Sequence, residues 1–205
     1  MPAANFSSGD VLVTAANILY APLATALPDE TTVAWNTFSG WPSGWIHLGY
    51  TATPARLSYT YDTFELAVEQ STSPIIQRKT NERATIGVEL SQFDGVNLAL
   101  LTDGTATDVA AGASQKAWTK VVTGGSANLK EYTFALEGYR PDANGNAQPI
   151  RVFLYRAAIR VNGDIQFAKA AGTSLPAQIT GLLDSSKSVG SQLMEIHLVT
   201  APASS

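Results

Sequence analysis

The sequence predicts a mainly β fold: a β-sandwich or barrel with one flanking α-helix, an extended loop and terminal arms. Three observations predict it. Several segments alternate apolar and polar residues with a period of two. Sixteen glycines and ten prolines, with abundant Ser and Thr, break the chain into short runs. Only one segment carries the 3.6-residue spacing of an amphipathic helix. The length of 205 residues suits a single domain over 1–205.

Residues 1–10 read as an N-terminal arm, and VLVTAANILYAP (11–22) as one or two short strands. Residues 23–44 contain Pro28, Gly40, Pro42 and Gly44 and lack periodicity. A loop of that length inside a domain is usually functional, and this one carries Trp35, Phe38 and Trp41. WIHLGYT (45–51) and ARLSYTYD (55–62) read as strands. In TFELAVEQ (63–70), Phe64, Leu66 and Val68 alternate with Glu65, Ala67 and Glu69. ERATIGVEL (82–90) sets Ala84, Ile86, Val88 and Leu90 against Arg83, Thr85, Gly87 and Glu89. With 71–81 as an irregular tip, the two segments predict a long antiparallel hairpin.

SQFDGVNLALLTDG (91–104) is the helix candidate, with Phe93, Val96, Leu100 and Leu101 on its apolar side and Gly104 as its stop. Residues 105–114 read as a mobile loop and 116–124 as a strand. LKEYTFALEGY (129–139) alternates again, PDANGNAQP (141–149) is a turn cluster, and IRVFLYRAAIRV (150–161) is a long strand. Asn162-Gly163 predicts a tight turn into DIQFAKA (164–170). Segments 175–184 and 192–199 close the fold, and 200–205 form a C-terminal tail.

Charged residues make up only 15% of the chain, against roughly 25% in an average soluble domain. A neutral surface is easier to desolvate when subunits associate. The net charge of −4, with basic residues scattered along the sequence, argues against an open nucleic-acid-binding surface. The absence of cysteine excludes disulfides, thiolate nucleophiles and Cys-based zinc sites. The N-terminus has no signal-peptide pattern and no run reaches transmembrane length, so a soluble protein made in a cytoplasm is expected, with no membrane insertion.

No phosphate-binding glycine motif, nucleophile elbow or metal-ligand spacing is present, so neither catalytic nor metal-binding residues are assigned and no cofactor is expected. His47 and His197 read as ordinary strand histidines. Glu65, Glu69, Glu89, Glu131 and Glu137 offer material for a carboxylate pair, yet their place on polar strand faces makes solvated residues the default. Trp35, Trp41 and Trp45 suit a sugar-binding platform, an interface anchor or a core equally well. A glycan-binding β-sandwich is therefore the alternative reading.

Three stretches, in order, resemble the major tail protein, or tail tube protein, of long-tailed, siphovirus-type bacteriophages. They are DVLVTAANILYAPLATALPDE (10–30) followed by WIHLGYT; FELAVEQSTSPIIQRKTNERATIGVELSQFDGVNLALLTDG (64–104); and YRAAIRVNGDIQFAKAAGTSLPAQITGLLDSS (155–186). The resemblance implies a non-enzymatic virion protein, assembled in the host bacterial cytoplasm into stacked hexameric rings. The rings form the tail tube, the conduit for DNA ejection. Expected partners are further copies of itself, the tape measure, tail terminator and distal tail proteins, and double-stranded DNA in transit. Strands of each subunit join a barrel around the lumen, while the long loop and the arms bridge rings. On this reading the hairpin's apolar side packs on the subunit core, and Glu65, Glu69 and Glu89 face the lumen and repel phosphates. Trp35, Phe38 and Trp41, with a basic hairpin tip of Arg78 and Lys79, are the expected inter-subunit and inter-ring contacts.

Overall fold

A single long strand organises the molecule. In the computed structural model, which describes residues 15–142, 144–165, 167 and 172–200, β8 (Ala147–Val161) has different neighbours along its two halves. On one edge it pairs with β7 (Tyr132–Pro141). On the other edge, its first half pairs with β10 (Met194–Leu198) and its second half with β9 (Leu175–Leu182). The antiparallel sheet then runs β2-β1-β7-β8-β9-β4-β3, with β1 at Asn17–Pro22, β2 at Ile46–His47, β3 at Arg56–Leu66 and β4 at Ile76–Leu90. A separate two-stranded ribbon pairs β5 (Thr105–Val109) with β6 (Trp118–Val122). The fold is mainly β with one α-helix, as predicted.

Alternation places Ile18, Phe134, Leu154, Ile159, Ile179, Ile86 and Leu90 on one face of the sheet, all buried. The helix α1 (Gly95–Leu101) and Leu48 cover that face through Leu98, Leu100 and Leu101. Asp94 caps the helix by accepting a hydrogen bond from Asn97 N at 2.8 Å. The buried Asn97 in turn donates to the Leu48 and Gln92 carbonyls, each at 3.2 Å, which ties the helix to the strand entry below it. The helix is shorter than the 91–104 expectation, and Phe93, which precedes it, and Val96, within it, stand exposed rather than in the core.

The opposite face of β1, β7 and β8 carries a second core of Leu19, Ala135 and Phe153. Residues of the 23–45 segment close over it, with Val33 and Trp41 buried and Leu27, Phe38 and Trp45 packed around them. The segment is therefore a folded flap. The β7–β8 turn is the expected one: Asp142 accepts from the backbone N–H groups of Asn144 and Asn146 at 2.8 and 2.9 Å, and Gly145 takes φ 83°.

Two sequence expectations are corrected. Residues 105–109 form β5 rather than a mobile loop, because the Thr105–Val109 backbone pairs with β6. The strand partner after Asn162-Gly163 is 175–182, not 164–170; Asp164, Ile165 and Phe167 lie outside any strand, and residues 166 and 168–170 fall outside the described residues. The N-terminal arm 1–10 and residues 201–205 also lie outside them.

Candidate assembly surfaces

Three features position groups for contact beyond the subunit: the β3–β4 hairpin, the flap, and the face of the main sheet that α1 does not cover. The hairpin divides into two halves. Near the sheet, β4 pairs with both β3 and β9, and Ala84, Ile86, Val88 and Leu90 are buried as predicted. Beyond Arg83 it leaves the sheet, and no residue from 58 to 66 or from 76 to 83 is buried or half-buried. Its turn lies at 67–75 and is closed by Ile75 N donating to the Leu66 carbonyl at 2.9 Å.

A β-bulge separates the halves. Thr60 pairs with Arg83 but Asp62 with Thr80, so β4 holds one more residue than β3 across this step. Asn81 accommodates it with a left-handed φ of 50°, and its amide donates to Asp62 Oδ2 at 2.9 Å. The extra residue moves the side chains of outer β4 to the other face. Phe64, Leu66, Ile76 and Arg78 consequently share the face of Arg83 and Thr85, while Tyr59, Tyr61, Glu65, Gln77 and Lys79 share the face of Leu57 and Ile86.

That register corrects the predicted acidic face. Glu65 and Glu89 stand on opposite faces, Glu69 lies in the turn, and Glu65 accepts from Gln77 Nε2 at 2.8 Å. It also corrects the predicted apolar face. Phe64 and Leu66 do not join Ile86 and Val88 over the core; they are 55% and 40% exposed. Period-two reading holds along each strand but does not fix which faces of β3 and β4 coincide, and two of its bounds are corrected: Val68 and Glu69 lie in the turn, and 76–81, expected in the tip, extend β4.

Arg78 and Lys79 lie on β4 and not in the hairpin tip. Lys79 is engaged within its own hairpin, donating to Tyr59 Oη at 2.6 Å and to Glu82 Oε1 at 3.1 Å, with its ammonium 4.8 Å from the Tyr61 ring centre. Those hydrogen bonds raise its pKa, and the hydrogen bonds that Glu82 accepts from Tyr59 and then from Lys79 lower that of Glu82.

The flap is held by a buried ionic network. Arg151 and Glu137, fully buried cross-strand partners on β8 and β7, meet through Nε and Nη2 to Oε1 at 3.0 and 2.8 Å. Arg151 Nη2 also donates to the Val33 carbonyl at 2.9 Å, and Nη1 pairs with Glu30. Glu30 Oε1 lies 2.7 Å from His197 Nδ1, and His197 Nε2 lies 2.7 Å from Glu195, which accepts from Tyr155. Burial opposes protonation of His197, but the carboxylates of Glu195 and Glu30 outweigh it and hold the imidazole pKa above its ordinary value. The Tyr155 and His197 hydrogen bonds hold Glu195 low.

Within this flap, Trp41 sits under its own subunit's residues at 7% exposure, 5.0 Å from the Trp45 ring and over the Arg151 guanidinium. Its expected role as an inter-ring anchor is corrected, since its apolar area is already spent on Phe153. Trp35 stacks 5.0 Å from Tyr139, and Phe38 lies 4.7 Å from His47. The tryptophans form no exposed sugar platform. The network is not legible in the sequence: Glu137 reads there as a solvated strand residue, and Arg151 carries no signal of its own.

Among the described residues, no group of three or more His, Asp and Glu side chains gathers to hold a metal, and no helix is long and apolar enough to cross a membrane. The glutamates considered for catalysis are dispersed: Glu137 is buried with Arg151, and Glu131 Oε1 accepts from Arg156 Nη2 at 2.9 Å.

A mainly β subunit with a hairpin that no described residue covers has the features of a structural assembly protein. Residues 4–203 match the family model for phage tail tube proteins, and the chain belongs to that family. It is accordingly a structural component of a phage virion tail that assembles with other tail components. No curated protein matches the chain.

Proposed function

We propose that this protein is the tail tube subunit of a siphovirus-type phage, self-assembling in the host cytoplasm into stacked hexameric rings that conduct DNA during ejection. The observation that carries this reading is the outer hairpin. Tyr61, Phe64, Ile75 and Ile76 are 51%, 55%, 55% and 39% exposed on a two-stranded ribbon that nothing among the described residues covers. Such a ribbon is marginal alone, and the outer edge of β3 offers an unpaired row of backbone donors and acceptors. Identical neighbours complete both in a closed ring.

The flap supports contact between rings through its exposed residues rather than through Trp41. Trp35 and Phe38, both half-buried at its surface, remain the contacts we propose there, together with Arg78 on the hairpin. The sheet face opposite α1 is the one we assign to the lumen, with Glu89 on it. Tape measure, terminator and distal tail proteins are the expected partners at the lumen and tube ends.

Electron microscopy of the purified protein at high concentration tests the reading. Hexameric rings or stacked tubes are the expected outcome. A strict monomer at all concentrations would sink it.

A further inference from the structure

We propose that Asn162 is a site of self-catalysed deamidation, at which the Gly163 backbone nitrogen converts the side-chain amide to aspartate and isoaspartate. The chain holds two Asn-Gly pairs, at 144–145 and 162–163. A glycine after asparagine leaves the next backbone nitrogen unshielded by a side chain. On sequence alone the two pairs are equal candidates. Asn144, Gly145, Asn162 and Gly163 are all exposed, so access to water does not part them either. The fold does.

At 144–145 the attacking nitrogen is held by its proton. Gly145 N donates to the Asp142 carbonyl at 3.0 Å, and Asp142 N donates to the Asn146 carbonyl at 2.8 Å. The Asp142 carboxylate accepts from Asn144 N and Asn146 N at 2.8 and 2.9 Å, and from Gln148 Nε2 at 3.0 Å. Attack there requires this turn to open. At 162–163 the last tie is Asn162 N, which donates to the Pro176 carbonyl at 2.9 Å beside the end of β8. Beyond it, neither the Gly163 N–H nor the Asn162 side-chain amide has a hydrogen-bond partner among the described residues. Gly163 takes φ 130°, a conformation that side-chain-bearing residues rarely adopt. The fold thus requires glycine at the position that leaves the nitrogen free.

The reaction needs only water. Hydroxide takes the Gly163 N–H proton, and the nitrogen forms a bond to Asn162 Cγ. The Cγ–Nδ2 bond breaks, and ammonia leaves with a proton drawn from water. The five-membered imide that results is opened by water at one of its two carbonyls. Breaking the Cγ–N bond gives aspartate. Breaking the bond between the Asn162 carbonyl carbon and the Gly163 nitrogen gives isoaspartate, with one more carbon in the backbone. One water enters, one ammonia leaves, and nothing is oxidised or reduced. Because hydroxide removes the proton, the rate rises with pH. Each conversion adds a negative charge to a chain already at −4, at the end of the β8–β9 pairing. Releasing a hydrogen-bonded N–H slows the rival site, so Asn162 is expected to convert at least about fivefold faster than Asn144.

Peptide mapping by mass spectrometry follows both sites at once in the dilute, purified full-length protein held at mildly alkaline pH. The same incubation in urea sets the ratio of the two sites without the fold. In the folded protein Asn162 is expected to turn acidic first, as a mixture of aspartate and isoaspartate, at least about fivefold ahead of Asn144. In urea the ratio should approach one. The N162Q variant, with its circular dichroism spectrum checked against the parent, is expected to lose the fast phase of acidification seen by ion exchange. Should that variant fail to fold, the parent's two mapped rates decide alone. Three results overturn the site: Asn144 keeping pace with Asn162 in the folded protein, the same ratio with and without urea, or a fast phase that persists in folded N162Q.

Discussion

The flap and the outer hairpin carry similar aromatic loads and meet opposite fates. Trp41 of the flap is 7% exposed, while Phe64 of the hairpin is 55% exposed. The flap has a partner within reach: Phe153 gives it an apolar floor, and Arg151 donates to its Val33 carbonyl and pairs with Glu30. The hairpin leaves its sheet at Arg83, and Phe64 and Leu66 lie on the β3 face that carries Arg56 and Ser58, away from the core side. An aromatic residue in a loop thus says little about where its surface goes. What decides is whether another element of the same chain lies opposite.

The comparison breaks first, and hardest, at Arg151. R151A leaves Glu137 buried without a counter-charge and should cost about 3–5 kcal/mol, read as a lower urea midpoint. An unchanged midpoint would mean the network does not hold the flap. W41A should cost a comparable amount, about 3–5 kcal/mol, because it empties the second core. On the hairpin, the exposed triple variant F64S/L66S/I76S should change stability by about 0.5 kcal/mol or less. It should nevertheless abolish higher assemblies in sedimentation. If the triple variant unfolds the monomer instead, the hairpin belongs to the subunit core after all.

The smallest effect concerns pH. His197 faces Glu30 from the flap and Glu195 from its own strand, with Arg151 opposite it on β8 and the Phe153 ring beside it. Its pKa is raised in the folded state, so the stability it contributes is complete below about pH 6.5 and is lost as pH rises through the folded value. The contribution should be of the order of 1 kcal/mol or less for such a partly exposed pair. H197Q should flatten this part of the stability–pH curve. A curve with the same slope in parent and variant would assign the dependence to other groups. Glu195, held low, contributes above about pH 4.5 and loses its share as pH falls.

The charge pattern teaches the same lesson as the aromatics. Along the sequence the basic residues are scattered. In the sheet, Arg160 and Arg56 lie in one cross-strand row although about a hundred positions separate them in the chain. Glu65 and Glu89, which look like one acidic face, are parted by the β3–β4 register, which pairs Leu57 with Ile86 and Arg56 with Gly87. Linear spacing predicts a shared face within a strand, but between strands only the hydrogen-bond register does so.

By itself the sequence determined the local elements: the alternating strands around Ile86, Phe134 and Ile159, a helix within 91–104, the turn within 141–149 and the resemblance to tail tube proteins. These follow from side-chain period, capping and turn chemistry, which act over a few residues. Only the tertiary structure decided that the 23–45 segment closes on its own sheet, that Arg151 and Glu137 are buried partners, and that the hairpin's two halves present different faces. Those outcomes depend on which distant strands are paired and in what register. They are set by the competition for apolar and ionic partners across the whole molecule, which no local window contains.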